Sequence, residues 1–269
     1  MKDKANFKVE EDVSALRKAI EGLGTTEKTL VEVLTQRSNA QRQLIAQAYE
    51  KATGRKLVAD LKGDTHGDFE DVLVALVTPP GAYDSQEVIR AIKGAGTTES
   101  TLTEIFASRS NGQIKALSDA YLAETGKSVV HDLQSEVSGD YAASDHQRLH
   151  SPPRCVSALV EYKTISKKTL QESIEGEMSG ALEDLLVAVV KCVKNVPAYL
   201  AERIFKSMKG AGTDESTLTR ILVSRSEIDL LDIRAEYKKL FGFTLYSQLE
   251  GEVSGSYGEV LKRLCGQDG

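Results

Sequence analysis

Tryptophan is absent from the 269-residue sequence, and cysteine, histidine and proline are scarce. The three cysteines, Cys155, Cys192 and Cys265, are far apart and in no metal-ligand spacing, and the four scattered histidines give no support for a zinc site. No stretch approaches the roughly 20 apolar residues of a transmembrane helix, and the N-terminus has no apolar core of the kind that a signal peptide needs. These absences favour a reduced cytosolic setting.

A basic surplus is also missing, since the formal net charge is −6. Proteins that coat nucleic-acid phosphates normally carry a surplus of Lys and Arg, so the charge argues against nucleic-acid binding. It argues equally against simple electrostatic adsorption to an acidic membrane, which uses clustered Lys and Arg. If this protein meets a negative surface, a cation must lie between the two.

Catalytic motifs are missing as well. No nucleophile–base pair, phosphate-cradling Gly-x-x-x-x-Gly-Lys loop or pair of catalytic carboxylates can be assembled from the motifs of the sequence. We therefore expect a protein that is not an enzyme.

What the sequence does contain is an internal repeat. Residues 92–110 read IKGAGTTESTLTEIFASRS and residues 208–226 read MKGAGTDESTLTRILVSRS, with fourteen of the nineteen positions identical. A more divergent copy, IEGLGTTEKTLVEVLTQRS, begins at Ile20. Each copy is one unit of a repeated architecture.

Fixed offsets extend the repeat beyond these segments. A tyrosine follows the arginine of each copy after twelve residues, and an acidic residue follows that tyrosine after fifteen. The acid lies 42 residues beyond the first glycine of its Gly-x-Gly-Thr segment in all three copies. A fourth pair with the same tyrosine-to-acid spacing is Tyr162 and Glu177. The full sets are Arg37–Tyr49–Asp64, Arg109–Tyr121–Glu136 and Arg225–Tyr237–Glu252.

The apolar spacing within each unit is helical. Leu30, Val33 and Leu34 recur at i, i+3 and i+4, and the other copies repeat this pattern. Capping-box patterns at Ser38–Gln41 and Ser110–Gln113 predict the start of a third helix. No alternating strand pattern occurs, so the chain is predicted to be all-α. The predicted fifth helices are Glu70–Val77, Glu183–Val190 and Glu259–Leu264.

The middle of the chain breaks the pattern. After Tyr141 a polar stretch containing Pro152-Pro153 replaces the expected fifth helix, and the sequence resumes inside the third helix of another unit. We therefore expect the second unit to lack its last helix and the third to lack its first two. The predicted segments are a tail over 1–12, a first repeat over 13–83, a second over 84–141, an irregular junction over 142–156, a remnant of the third over 157–193 and a fourth repeat over 194–269.

The glycine segment and the distant acid together suit Ca²⁺, which takes 6–8 oxygen ligands from carbonyls, carboxylates and water. Glycines let successive carbonyls turn toward one point. Three carbonyls with one carboxylate make a weak site, which water or a lipid phosphate would complete. A lone Gly-x-Gly-Thr would be only a turn, and an acid near a helix start can stabilise the helix dipole without any metal. Glu177 has no partner loop and is interpreted as a solvated acid.

These residues resemble the annexins. The resemblance is carried by Lys-Gly-Ala-Gly-Thr-(Thr/Asp)-Glu at 93–99 and 209–215, the Ser-Arg-Ser that follows, and the ending Leu264-Cys-Gly-Gln-Asp268. It covers the chain after the tail, except residues 142–156. It implies an array of five-helix repeats in a curved disc, here with an incomplete middle, as in a truncated or alternatively spliced annexin.

The resemblance also implies the ligands of Ca²⁺. The principal sites would be the carbonyls of Ile20, Gly22 and Gly24 with Asp64, those of Ile92, Gly94 and Gly96 with Glu136, and those of Met208, Gly210 and Gly212 with Glu252. Secondary sites would be Thr25 with Glu27, Thr97 with Glu99, and Thr213 with Glu215. The first unit departs mildly from the family pattern, because Glu21 stands where Lys is usual.

The function that follows is Ca²⁺-dependent binding to acidic phospholipid membranes with phosphatidylserine-like headgroups. The protein would be cytoplasmic and would join the membrane peripherally when calcium is present; self-association there is left open. The alternative is a helical-repeat interaction scaffold whose membrane binding is impaired by the missing block.

Overall fold

The computed structural model describes residues 3–22, 26–93, 97–136, 153–210 and 212–267. These ranges are helical and contain no strand, in agreement with the all-α prediction. No helix within them is both long and apolar enough to cross a membrane. The helices are α1 Val9–Glu21, α2 Glu27–Thr35, α3 Asn39–Thr53, α4 Leu57–Asp64, α5 Gly67–Val77, α6 Pro80–Lys93, α7 Glu99–Ser108, α8 Asn111–Thr125, α9 Val129–Glu136, α10 Pro153–Ser166, α11 Leu170–Glu177, α12 Ala181–Ser207, α13 Glu215–Arg225, α14 Leu230–Phe241, α15 Leu245–Glu252 and α16 Gly255–Cys265.

The third helix of the first two units begins where the sequence predicts. Ser38 accepts a hydrogen bond from the backbone of Gln41, whose side chain bonds back to the Ser38 amide, and Ser110 with Gln113 repeats this capping box. Both helices end at a glycine with a left-handed backbone. Local side-chain chemistry therefore fixes where α3 and α8 begin.

Helix α10 starts earlier than expected. The polar stretch with two prolines predicted an irregular junction over 142–156, but residues 153–156 are already helical. Proline is compatible with the first position of a helix, where its missing N–H has no intrahelical partner to lose. The remainder of the predicted junction, 142–152, lies outside the described residues.

Helix α12 runs across the boundary predicted between the third remnant and the fourth repeat. Its 27 residues are interrupted at Asn195, whose φ of −165° and ψ of 100° are not helical. The Asn195 carboxamide oxygen accepts a hydrogen bond from the Ala198 amide at 3.0 Å, and Pro197 lacks a backbone donor. Asn195 therefore caps a second helical segment that leads into the fourth repeat.

The described chain forms two compact units, one from residues 1–79 with 200–269 and one from residues 80–199. In the second unit Leu185 of α12 is buried in one core with Val88 of α6, Leu102 of α7, Leu117 of α8 and Leu133 of α9. The second repeat was expected to lack its fifth helix. In the structure the fifth helix of the third remnant packs against its core.

The other compact unit joins the first repeat to the last. Helix α5 packs against both α13 and α16. Arg42 is 1% exposed, and its guanidinium donates to the carbonyl of Leu76 at 2.6 Å and that of Leu34 at 3.2 Å. It also reaches the Glu227 carboxylate of the last repeat at 3.3 Å. Burial lowers the pKa of Arg42 to about 10.

Candidate calcium site

Each Gly-x-Gly-Thr segment connects the first helix of a repeat to the second. The base of each loop is closed by a backbone hydrogen bond between residues seven apart. These bonds run from Thr26 N to Ala19 O at 3.1 Å, from Thr98 N to Ala91 O at 2.9 Å and from Asp214 N to Ser207 O at 2.7 Å. The three loops therefore share one length and one closure.

Buried side chains hold the start of each loop. Ile20, Ile92 and Met208, whose carbonyls are the first predicted ligands, have their side chains in the core. In the fourth repeat Gly210 and Gly212 have φ of 129° and 130°, a backbone region that favours glycine. Gly24, Thr25, Gly94 and Gly96 lie outside the described residues.

The acids of the predicted sites share one position in their helices. Asp64, Glu136 and Glu252 are the last residues of α4, α9 and α15, and Glu177 is the last residue of α11. A carboxylate at the C-terminal end of a helix is unfavourable with respect to the helix dipole by about 0.3–1 kcal/mol. Stabilisation of the dipole of these helices therefore does not explain why acids recur there. The side chain of Glu136 lies outside the described residues.

The fourth helix, which carries the acid, packs against the first helix in two repeats. Helix α4 contacts α1, and α9 contacts α6. Within the described residues no group of three or more His, Cys, Asp or Glu is arranged to hold a metal. A site of carbonyls with one carboxylate does not require such a group, so the ligand sets stay a prediction.

In the first, second and fourth repeats a buried tyrosine holds the fourth helix in place. The hydroxyl of Tyr49 donates to the Asp60 carboxylate at 2.7 Å, and that of Tyr121 to the Asp132 carboxylate at 2.8 Å. The hydrogen bond from Tyr121, followed by that from His131, holds the pKa of Asp132 below its usual range. The sequence predicts that the tyrosines are packing and loop-tethering groups. An acid eleven residues beyond each of these two tyrosines was the available signal.

In the fourth repeat the tyrosine partner is an amide. Tyr237 donates to the side-chain oxygen of Gln248, the residue at the same offset. Burial raises the pKa of Tyr237, and the negative charge of Glu252 raises it further. Glu252 therefore acts electrostatically on the hydroxyl that anchors its own helix.

Arginines hold the other end of the helix pair. Arg37 pairs with Asp12 of α1 through two hydrogen bonds of 2.6 Å, and Arg109 pairs with Asp84 of α6 through two of 2.8 Å. Both pairs are buried. They fix the end of the second helix against the first, opposite the loop. The sequence signal, an aspartate 25 residues before each arginine, was missed.

The secondary acids occupy a different position. Glu27, Glu99 and Glu215 are the first residues of α2, α7 and α13, where the helix dipole favours a negative charge without any metal. The Glu27 carboxylate also accepts a hydrogen bond from the Ser256 hydroxyl. These acids therefore lie where the helix dipole favours a negative charge, whereas the principal acids lie at the opposite end of their helices.

Comparison with known proteins finds a matching family model and similar relatives. The annexin family model matches residues 11–76, 83–143 and 199–264. Mouse annexin A3 is 44% identical over 311 aligned positions, which cover all of this chain and 96% of the relative. That span exceeds the 269 residues of the chain, so annexin A3 contains residues that have no counterpart here.

Solved structures give the same result. The structure of annexin III superposes with a TM-score of 0.97 at 42% identity, covering all of this chain and 97% of that one. A calcium-bound annexin (Sm)1 superposes with a TM-score of 0.86 at 29% identity, covering 99% and 92%.

Proposed function

Because the chain belongs to the annexin family, we propose that its glycine loops bind Ca²⁺ and attach the protein to acidic phospholipid membranes. Annexins are calcium-dependent membrane-binding proteins and not enzymes. The proposal concerns the residues of this chain that would perform the family's function. It also includes a cytoplasmic location from which the protein reaches the membrane surface.

The observation that carries the proposal is the recurrence of an acid at an unfavourable helix end. Asp64, Glu136 and Glu252 each terminate the fourth helix of a repeat whose first two helices are joined by a loop of fixed length. A bound divalent cation would offset the electrostatic cost of that carboxylate. The Ca²⁺ ligands would be three loop carbonyls and one carboxylate in each site, with the remaining positions left to water or lipid.

The net charge of the protein explains why an anionic lipid would have to bind through the metal ion. A protein with a charge of −6 is repelled by an anionic bilayer. A phosphate oxygen of a phosphatidylserine-like headgroup that completes the coordination of Ca²⁺ would place the cation between the two negative partners. Lipid and metal would then bind cooperatively.

A scaffold function is the second candidate. Relatives carry residues that this chain lacks, and the family model leaves residues 144–198 unmatched. A chain with a shortened middle could retain helical surfaces for protein partners while losing membrane affinity. Capture of a protein partner in the absence of lipid would favour this function.

Cosedimentation with phosphatidylserine-containing vesicles tests the proposal. Binding should appear with calcium and disappear with chelator, and the combined Asp64→Ala and Glu252→Ala variant should need far more calcium. Glu177→Ala is the matched control, because Glu177 also ends a fourth helix but has no glycine loop in its repeat. Binding that persists in chelator, or that ignores the double substitution, would overturn the proposal.

A further inference from the structure

We propose that Arg55 is a positioning residue for the first calcium site, where it connects the base of the glycine loop to the helix that carries Asp64. This inference rests on the proposed function. It concerns how the first site is built and how it differs from the sites of the other repeats.

The contacts form a continuous chain of charged and polar groups. Arg55 Nη2 lies 2.5 Å from Glu21 Oε1, and Arg55 Nε lies 3.1 Å from Asp60 Oδ2. Glu21 Oε2 accepts a second hydrogen bond from Arg17 Nε at 2.7 Å. Asp60 is held in turn by the hydroxyl of Tyr49. One guanidinium therefore joins the last residue of α1 to the middle of α4.

The residues at the two ends of this series of contacts lie close in sequence to predicted ligands. Glu21 stands between Ile20 and Gly22, whose carbonyls are predicted to bind Ca²⁺. Asp60 precedes Asp64 by one turn of the same helix, α4. Loss of the Arg55 bridge would allow the start of the loop to move relative to the carboxylate. The geometry of the site, rather than any ligand, would then change.

The second repeat has no equivalent bridge in its described residues. Lys93 and Lys127 occupy the positions of Glu21 and Arg55, and two cations do not attract each other. The ammonium of Lys127 lies 3.8 Å from Asp132, the counterpart of Asp60.

The fourth repeat fills the same positions with aromatic rings. Phe205 and Phe243 replace Arg17 and Arg55. Phe205 stacks on Phe241 with a centroid separation of 4.0 Å, and Phe243 lies 6.4 Å from Phe205. Lys209, the counterpart of Glu21, places its ammonium 5.9 Å from the Phe205 ring. Apolar and cation–π contacts thus hold this loop base, whereas ionic contacts hold the first.

The expected effect of losing the Arg55–Glu21 contact follows from the solvent exposure of the two side chains. The side chains of Arg55 and Glu21 are 49% and 37% exposed. Their contact should therefore stabilise the loop as weakly as a partly exposed ion pair does. Such pairs change an equilibrium constant about two- to five-fold. Added salt should weaken the contact further, because exposed charges are screened.

Hydrogen exchange of the calcium-free protein tests the bridge without reference to function. In Arg55→Met, amides of the segment 18–26 should exchange faster, while those of the other two loops should not change. Lys127→Met is the matched control and should leave every loop unaffected. Unchanged exchange in segment 18–26 would overturn the inference.

Calcium titration of binding to phosphatidylserine vesicles tests its consequence. In a Glu136→Ala and Glu252→Ala background, which leaves the first site intact, Arg55→Met should raise the half-maximal calcium concentration about two- to five-fold. Arg55→Lys should fail to restore it, because lysine lacks the two separated donor nitrogens, Nη2 and Nε, through which Arg55 contacts Glu21 and Asp60. Glu21→Gln should weaken binding less in the Arg55→Met variant than in its parent, since the Arg55–Glu21 contact is already lost there.

The outcomes separate this inference from the proposed function. If the unmodified protein does not bind vesicles with calcium, the proposed function fails, and the exchange experiment still decides whether the bridge holds the loop. If the unmodified protein binds but Arg55→Met titrates like its parent, or Arg55→Lys restores full affinity, the positioning role of Arg55 is wrong.

Discussion

Buried arginine–aspartate pairs show how the residue at a single position decides which partner the arginine of a repeat binds. Asp12 and Asp84 lie 25 residues before Arg37 and Arg109, and each carboxylate binds its arginine through two hydrogen bonds. The corresponding residue of the fourth repeat is Leu200. Arg225 instead forms an ion pair with Asp229, four residues further along the chain. The repeat could be recognised in the sequence. The change in the partner of the arginine could not be predicted, because it depends on which helices lie side by side.

Replacing Arg109 by methionine should therefore be costly. The substitution leaves Asp84, which is 4% exposed, as an unpaired buried charge, and breaking such a pair costs about 3–5 kcal/mol. Urea unfolding followed by circular dichroism measures the loss. Arg225→Met is the control and should cost less, since the Asp229 side chain is 15% exposed and can meet water. Equal losses in the two variants would contradict this account.

Helix boundaries were predictable where a side chain contacts the backbone. The starts of α3 and α8 follow from Ser38 and Ser110, whose capping boxes are confirmed. The start of α10 was predicted too late, because Pro152-Pro153 was interpreted as an interruption although proline also suits a first helical position. The boundary predicted between residues 193 and 194 lies next to Asn195, whose non-helical backbone separates the two helical segments of α12.

The capping boxes predict a contrast between repeats. Ser110→Ala should destabilise the protein by about 1 kcal/mol, because the amide of Gln113 loses its acceptor. The corresponding residue in the fourth repeat, Ser226, lies at the C-terminal end of α13, where its hydroxyl donates to the carbonyl of Val223 instead of capping the start of a helix. Ser226→Ala should therefore cost less when both variants are compared by thermal denaturation. A larger loss in Ser226→Ala would show that the cap is not the source of stability.

At the scale of the whole molecule, the packing of the repeats could not be derived from their order in the chain. Sequence offsets led us to predict that three helices are missing and that each loop is paired with a particular acid, and both stay predictions. They gave no indication that the first and last repeats would form one compact unit, in which Glu227 accepts hydrogen bonds from Arg42 and from the Asn39 amide. Such contacts join residues more than 180 positions apart, and a repeat pattern carries no information about them.

In the second compact unit, α12 packs against the core of the second repeat. Residues 180–190, GALEDLLVAVV, correspond to residues 67–77, GDFEDVLVALV, which form the fifth helix of the first repeat. Leu185 takes the place of Val72, and both are buried. Ala181, Leu185 and Val189 share one helical face and pack against the core of α6 to α9. Helix α12 thus covers apolar surface of the core formed by α6 to α9.

The position of Leu185 in the core formed by α6 to α9 makes this residue a test of how α12 packs. Leu185→Ala should destabilise residues 80–199 by about 2–5 kcal/mol, the usual cost of a buried Leu→Ala change. Hydrogen exchange should show the loss in α7 and α8, far away in sequence, and not in α3. Leu186→Ala should cost less, because Leu186 is only half-buried. If α7 and α8 keep their protection in Leu185→Ala, then α12 does not stabilise the core formed by α6 to α9.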